Sequence, residues 1–461
     1  MAKPSSKGLF DRFFRSQTSG SIVLLGATLV AIFWANSPWS SLYHTLAHLD
    51  IGTHFHGKQY HLTLDHWVKD GLMTIFFFVV GLEIKREILI GELSSFKKAI
   101  LPVMAAIGGA VVPALIYFAF NQQGEAAKGW AIPMATDIAF ALGVLALFGK
   151  RVPIGLKVFL TALAIVDDLL AVIVIAIFYT EQIAINYLLV GAVFLGLLAY
   201  IARVGVRQTW LHLLLTLIIW VCIFLSGIHA TIAGVLIALT VPIKPSLEAK
   251  TFFDTICQQM TLLQATEVSA DSLVKDKKQR SALVRIYMAA EDMLPAGIHL
   301  EDKLHSVQAF LILPLFALFS AGVTVNKEML AAFPSSVSIG IILGLLLGKQ
   351  LGITLLSWLT IKVKLAELPA GVSWMHIWGS GVLSGIGFTM SIFISELAFA
   401  DPATIADAKI AIFVVSVLAA ALGFVVLHKS LPPLQESRGQ EKAHETDREE
   451  DENCAEVEKW C

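Results

Sequence analysis

LTALAIVDDLLAVIVIAIFYT, residues 160–180, is apolar enough to cross a bilayer, yet Asp167 and Asp168 stand side by side near its centre. A charged side chain at mid-bilayer costs roughly 2.5–3.5 kcal/mol on insertion scales, so intramembrane carboxylates mark function by default. Neighbouring helix positions point about 100° apart, at 3.6 residues per turn. The two carboxylates therefore face different surroundings, and a dyad sharing one proton is not the default. One can line a cavity while the other meets a neighbouring helix. A polar pair that only joins helices is the structural alternative.

The rest of the chain supplies the setting. Of 461 residues, 56% are hydrophobic and only 15% charged, against roughly 25% charged in soluble domains. A net charge of -2 offers no basic surface for nucleic acid. Cys222, Cys257, Cys454 and Cys461 show no CxxC spacing, so neither a zinc site nor a disulfide framework is indicated. About 20 mostly apolar residues span a bilayer. Twelve stretches qualify: 17–36, 66–84, 99–120, 130–148, 155–179, 183–203, 208–226, 228–243, 306–325, 335–359, 374–397 and 405–428. The fold class expected is an all-α polytopic membrane protein. The first stretch is long, with no clear A-x-A cleavage site after it, and reads as a retained anchor.

Loop charges orient the chain. One side collects Lys3, Lys7, Arg12, Arg15, Lys85, Arg86, Lys97, Lys98, Lys150, Arg151, Arg203, Arg207, a cluster between Lys244 and Lys303, Lys362 and Lys364. The other holds Lys58, Lys128, Lys327 and Lys409. The positive-inside rule puts both termini in the cytoplasm. The organisation read is a cytoplasmic segment 1–16, a membrane domain 17–428 with an inner loop 244–305, and an acidic tail 429–461 with too little apolar content for a core. The inner loop shows apolar periodicity around Leu283, Ile286 and Met288, which suggests short interfacial helices. Residues 38–65 lie outside, with Gly57-Lys58 as a hairpin turn.

Three further stretches carry polar groups at membrane depth. WAIPMATDIAFALGVLAL contains Pro133, Thr136 and Asp137. Proline removes a backbone donor and disfavours helix at the preceding residue, while Thr and Asp compete for local backbone groups. A break at 133–138 follows, leaving carbonyls beside a carboxylate: hard oxygen ligands suited to a small alkali cation. SGVLSGIGFTMSIF carries Gly379, Gly381, Gly385 and Gly387. It reads either as a second interrupted helix or as close packing through small residues. Lys349 lies deep in LGLLLGKQLGITLL. It either pairs with Asp167 or Asp168 or snorkels to an interface.

These stretches, with FFFVVGLEIKRE, GWAIPMATDIAFALGVLALFGKRVP, LTALAIVDDL, GIHATIAGV, LILPLFALFSAGV and GIGFTMSIFI, closely resemble the NhaA sodium/proton antiporters of bacteria over residues from about 10 to 428. The resemblance implies twelve helices with inverted three-helix repeats and two interrupted helices crossing at the midplane. Two broken helices in corresponding halves point to a transporter's site, a rule drawn in part from this same family and so not independent of the resemblance. The resemblance also implies a homodimer, an inner-membrane setting, and exchange of cytoplasmic Na+ or Li+ for more than one external H+, with pH regulation and no cofactor. Asp167 and Asp168 match the family's ion-binding pair, Thr136 and Asp137 its broken-helix motif, and Lys349 its intramembrane lysine. Glu83, Arg86, Glu87 and Glu301 match the pH-responsive cytoplasmic funnel. His229 matches a histidine linked to pH sensing, with simple packing as the alternative. The inner loop is longer than the usual pattern and the acidic tail is additional.

The chemistry expected is competition. A carboxylate in a low-dielectric cavity resists ionisation. Protonated, it does not bind Na+; ionised, it attracts the ion strongly. Alternating access of such a site gives exchange with no covalent step, so a secondary transporter is expected rather than an enzyme. An intramembrane aspartyl protease would need its aspartates on separate helices, commonly with a GxGD stretch, which the chain lacks. A nucleotide-driven pump is excluded because GLLLGKQ lacks the glycine spacing and the Ser or Thr after lysine of a phosphate loop. A channel, or an antiporter preferring K+, is the remaining alternative.

Overall fold

The computed structural model describes residues 17–432, apart from 51–52, 56–57, 61–62, 181–182, 207, 246–248, 265–275 and 325–333. Segment 1–16, nearly all of the tail and Gly57 of the expected turn lie outside the described residues.

Helix occupies each of the twelve apolar stretches. Among the described residues, seven helices are long and apolar enough to cross a membrane, or up to nine if two bent pairs each count as one span. The chain is thus a polytopic membrane protein, almost entirely helical among the described residues. Its helices are α1 (Gln17–Ala35), α2 (Ser40–Ala47), α3 (Met73–Leu89), α4 (Phe96–Phe120), α5 (Ile138–Ala146), α6 (Ile154–Phe178), α7 (Ile185–Val204), α8 (Thr209–Leu225) and α9 (Ala230–Thr240). After the inner loop follow α13 (Leu313–Ser320), α14 (Ser336–Leu343), α15 (Lys349–Lys362), α16 (Trp374–Leu383), α17 (Phe388–Ala398) and α18 (Pro402–Ser430). Among the described residues one strand pair is present, antiparallel, β1 (Thr53–Phe55) with β2 (Lys58–Tyr60), in register Thr53 to Tyr60.

Within the loop 244–305 the chain is helical, as the periodicity suggested: it forms α10 (Ala249–Gln264), α11 (Lys277–Met293) and α12 (Ala296–Val307), and α12 runs through a wide π turn, Gln308–Ile312, directly into α13. α10 and α11 pack on each other. Ala282, Ala289 and Gln279 are the buried positions of α11, Ile286 is half-buried, and Leu283 and Met288 stay 41% and 49% exposed.

Two packed groups of helices emerge. One contains α4, α6, α14, α15, α16, α17 and α18; the other contains α3, α7, α8, α9 and α12, joined by α13 and the wide turn Trp67–Leu72 that precedes α3. In the first group α4 and α15 meet backbone to backbone. A Cβ on Gly352 would lie 2.0 Å from the Gly108 carbonyl oxygen. Without two glycines there, the helices separate. Gly352→Ala is therefore expected to destabilise the protein by about 1–3 kcal/mol, the usual range for overpacking. Gly196→Ala on α7, where nothing lies within 4 Å, is the control. Equal thermal stability of the two variants in detergent would disprove the contact.

Candidate functional site

Both suspected interruptions are present. A 3-10 helix, Glu125–Met134, gives way at Ala135 to extended backbone, and α5 restarts after Asp137. α16 and α17 are separated by residues 384–387 and bent by 50°. The glycines serve both readings made of them: Gly379 packs on Leu427 and Gly381 on Gln350, while Gly385 lies at the break against the Leu345 carbonyl.

The two breaks touch. The Asp137 N–H donates to the Ile386 carbonyl at 2.7 Å. The Thr136 hydroxyl lies 2.8 Å from the Ser384 carbonyl and 2.7 Å from Asp167 Oδ2. Asp137 Oδ1 accepts the Phe140 N–H at 3.2 Å, at the start of α5. Its Oδ2 accepts the Thr389 N–H at 3.2 Å and the Thr389 hydroxyl, at the start of α17. One carboxylate thus caps two helix N-termini, where anions are favoured. Ser416 Oγ accepts the Phe388 N–H at 3.2 Å, and Ser391 Oγ donates to the Ile132 carbonyl at 2.9 Å, so neighbouring side chains satisfy backbone groups freed at the breaks.

Lys349 is 0% exposed and its ammonium donates to Asp167 Oδ2. This settles which aspartate it meets and rules out snorkelling. The lysine follows a wide π turn, Gly344–Gly348, whose glycines lie against Pro133 and Pro113. Asp167 Oδ1 is buried without a partner. Asp168 is 4% exposed and accepts no hydrogen bond among the described residues. As the helix geometry required, the neighbouring carboxylates have different environments: one is paired, the other is bare. No group of three or more His, Cys, Asp or Glu side chains suited to a metal ion is found among the described residues.

At the C-terminal end of α3, Arg86 Nε binds Glu301 of α12 at 3.1 Å and Arg86 Nη1 binds Glu87 at 3.0 Å. Glu87 Oε2 accepts the Glu92 N–H at 3.0 Å. Glu83 is close enough to act electrostatically on both Glu301 and Asp168. His229 stands apart from this cluster. It interacts with Asp70, before the opposite end of α3, and its ring lies edge-on to Phe393 at 6.2 Å. Thr389 and Ser384 were not singled out from the sequence. Both lie inside or beside GIGFTMSIFI, so position in a notable motif was the available signal.

Residues 11–427 match the family described as Na+/H+ antiporter 1. The chain belongs to that family. It is 46% identical over 423 residues to Na(+)/H(+) antiporter NhaA 2 of Syntrophotalea carbinolica, covering 91% of this chain and 96% of that one. It is 46% identical over 418 residues to Na(+)/H(+) antiporter NhaA of Oleidesulfovibrio alaskensis, covering 91% and 93%. It is 45% identical over 422 residues to the NhaA of Acidithiobacillus ferrooxidans, covering 91% and 96%. A Na+/H+ antiporter of this family is a secondary transporter whose ions are cargo rather than cofactors.

Proposed function

We propose that the chain is an electrogenic antiporter of the bacterial inner membrane, exporting cytoplasmic Na+ or Li+ for more than one external H+. The observation that carries this reading is Lys349 paired with Asp167 while the adjacent Asp168 has no hydrogen-bond partner among the described residues. A buried carboxylate without a hydrogen-bond partner takes either a proton or a cation. The Thr136 hydroxyl and the carbonyls at the breaks are hard oxygen ligands, the type that suits small cations without transition-metal character. Asp137 acts as a fixed counter-charge to two helix N-termini, which keeps the crossing assembled while Asp167 and Asp168 exchange ions.

In this reading twelve spans form the domain 17–428. The spans of α4, α5 and α6 and those of α14–α15, α16–α17 and α18 are inverted three-helix repeats, with the two interrupted helices crossing at the midplane. Both termini are cytoplasmic, so 1–16, the loop 244–305 and the tail 429–461 lie inside. The β1–β2 ribbon supports a homodimer by edge pairing. Glu83, Arg86, Glu87 and Glu301 regulate the response to pH at the inner mouth, with His229 acting separately beside Asp70.

The test uses vesicles containing only this protein. Na+ is expected to collapse an imposed pH gradient where K+ does not. Exchange rates are expected to differ between inside-positive and inside-negative clamps, because more charge moves as H+ than as Na+. Equal rates at both potentials would mean one-for-one exchange.

A further inference from the structure

A second buried charge cluster lies at the far end of α17 from the Asp137–Thr389 contact. The Glu396 side chain is 9% exposed, and its Oε1 binds Lys409 of α18 at 2.7 Å and Lys69 at 3.0 Å. Ser320, the last residue of α13, donates to the other oxygen at 3.4 Å. Lys69, in the wide turn before α3, also binds Asp65 one helical turn earlier, at 2.7 Å. None of these groups takes part in the site at the helix breaks.

The membership of these bonds is informative. Glu396 and Lys409 belong to the group of α4, α6 and α14–α18. Lys69, Asp65 and Ser320 belong to the segments that pack with α3 and α13. The Lys69–Glu396 pair therefore crosses between the groups, whereas Glu396–Lys409 and Lys69–Asp65 each stay within one. If the crossing pair parts, Glu396 keeps Lys409 and Lys69 keeps Asp65. No buried ion is orphaned, and an orphaned ion is the outcome that makes breaking a buried pair costly.

We propose that Lys69 and Glu396 form a latch closing the outer side of the transport pathway, made in the state seen here and broken when the site opens outward. The inference rests on the alternating access and topology proposed above. Exchange needs the two groups to rearrange so that the site faces each side in turn. A bond between the groups on one side then biases which side is closed. A latch whose charges each retain a partner is reversible, and its strength sets the balance between the two states.

The experiment measures half-saturating Na+ separately from each face, in vesicles holding the full chain in one orientation. Lys69→Gln is expected to lower the outer half-saturating concentration about threefold to tenfold and to raise the inner one similarly, because a population shift acts oppositely on the two faces. Lys69→Arg, which keeps the pair, is expected to behave as the unaltered protein. Lys69→Met, which keeps the stem's packing, is read in the same way should the glutamine variant fold poorly. Folded, active Lys69 variants whose two constants stay unchanged, or move together, would reduce Lys69 to an anchor and overturn the latch. Exchange by the unaltered protein in the same vesicles bears on the antiport reading alone, so the two failures are distinguishable.

Discussion

Asp168→Asn is expected to abolish Na+-driven proton movement in vesicles while the protein still inserts and folds. Asp168 accepts no hydrogen bond among the described residues and is 4% exposed, so replacing it breaks no protein pair. What would be lost is the site carboxylate proposed to take either ion and not already paired with Lys349. Removing a buried charged partner costs about 2–5 kcal/mol of binding, and each 1.4 kcal/mol is about tenfold. The loss in apparent Na+ affinity is therefore roughly thirtyfold to several thousandfold. Asp167→Asn should differ, because it leaves the buried Lys349 ammonium unpaired and destabilises the fold, by about 3–5 kcal/mol. The discriminating measurement is exchange alongside thermal stability in detergent for both variants. Normal exchange by purified Asp168→Asn protein would remove this residue from the site.

The difference between the two aspartates was legible in the sequence only as a requirement that they diverge. Helix geometry fixed the angle between them, but not which neighbour each would find. That needed α15 to approach α6, and the approach depends on the Gly108–Gly352 contact between α4 and α15. The break near Pro133 was readable because proline and its neighbour act locally. The capping of two N-termini by Asp137 was not, because Thr389 lies 252 positions away. Lys69 fell inside the predicted span 66–84 and Glu396 inside 374–397, where neither was set apart from the apolar run. Their pairing depends on the bend between α16 and α17, which carries the end of α17 towards α13.

Lys349→Gln is expected to retain Na+/H+ exchange but lose its dependence on membrane potential. Lys349 is fully buried, and its side-chain nitrogen donates to Asp167. A cation arriving at the aspartates competes for that carboxylate and withdraws the support that keeps the lysine charged. In the mechanism being tested, the lysine would release a proton as Na+ binds and regain one as Na+ leaves, so that one of the protons in each cycle would travel on nitrogen. Asp168 need not carry both. Glutamine fills much of the same space and donates a hydrogen bond, but it carries no titrating proton. Exchange should then fall to one H+ per Na+, which is electrically silent. Stability should also fall, by about 3–5 kcal/mol, because Asp167 is left without its buried counter-charge. A purely structural lysine, tying α15 to α6, would lower stability in the same way but leave the coupling untouched. Detergent melting therefore cannot separate the two roles, and transport under opposite potential clamps does. A folded, active Lys349→Gln protein that kept its full voltage dependence would leave this lysine with the structural role alone.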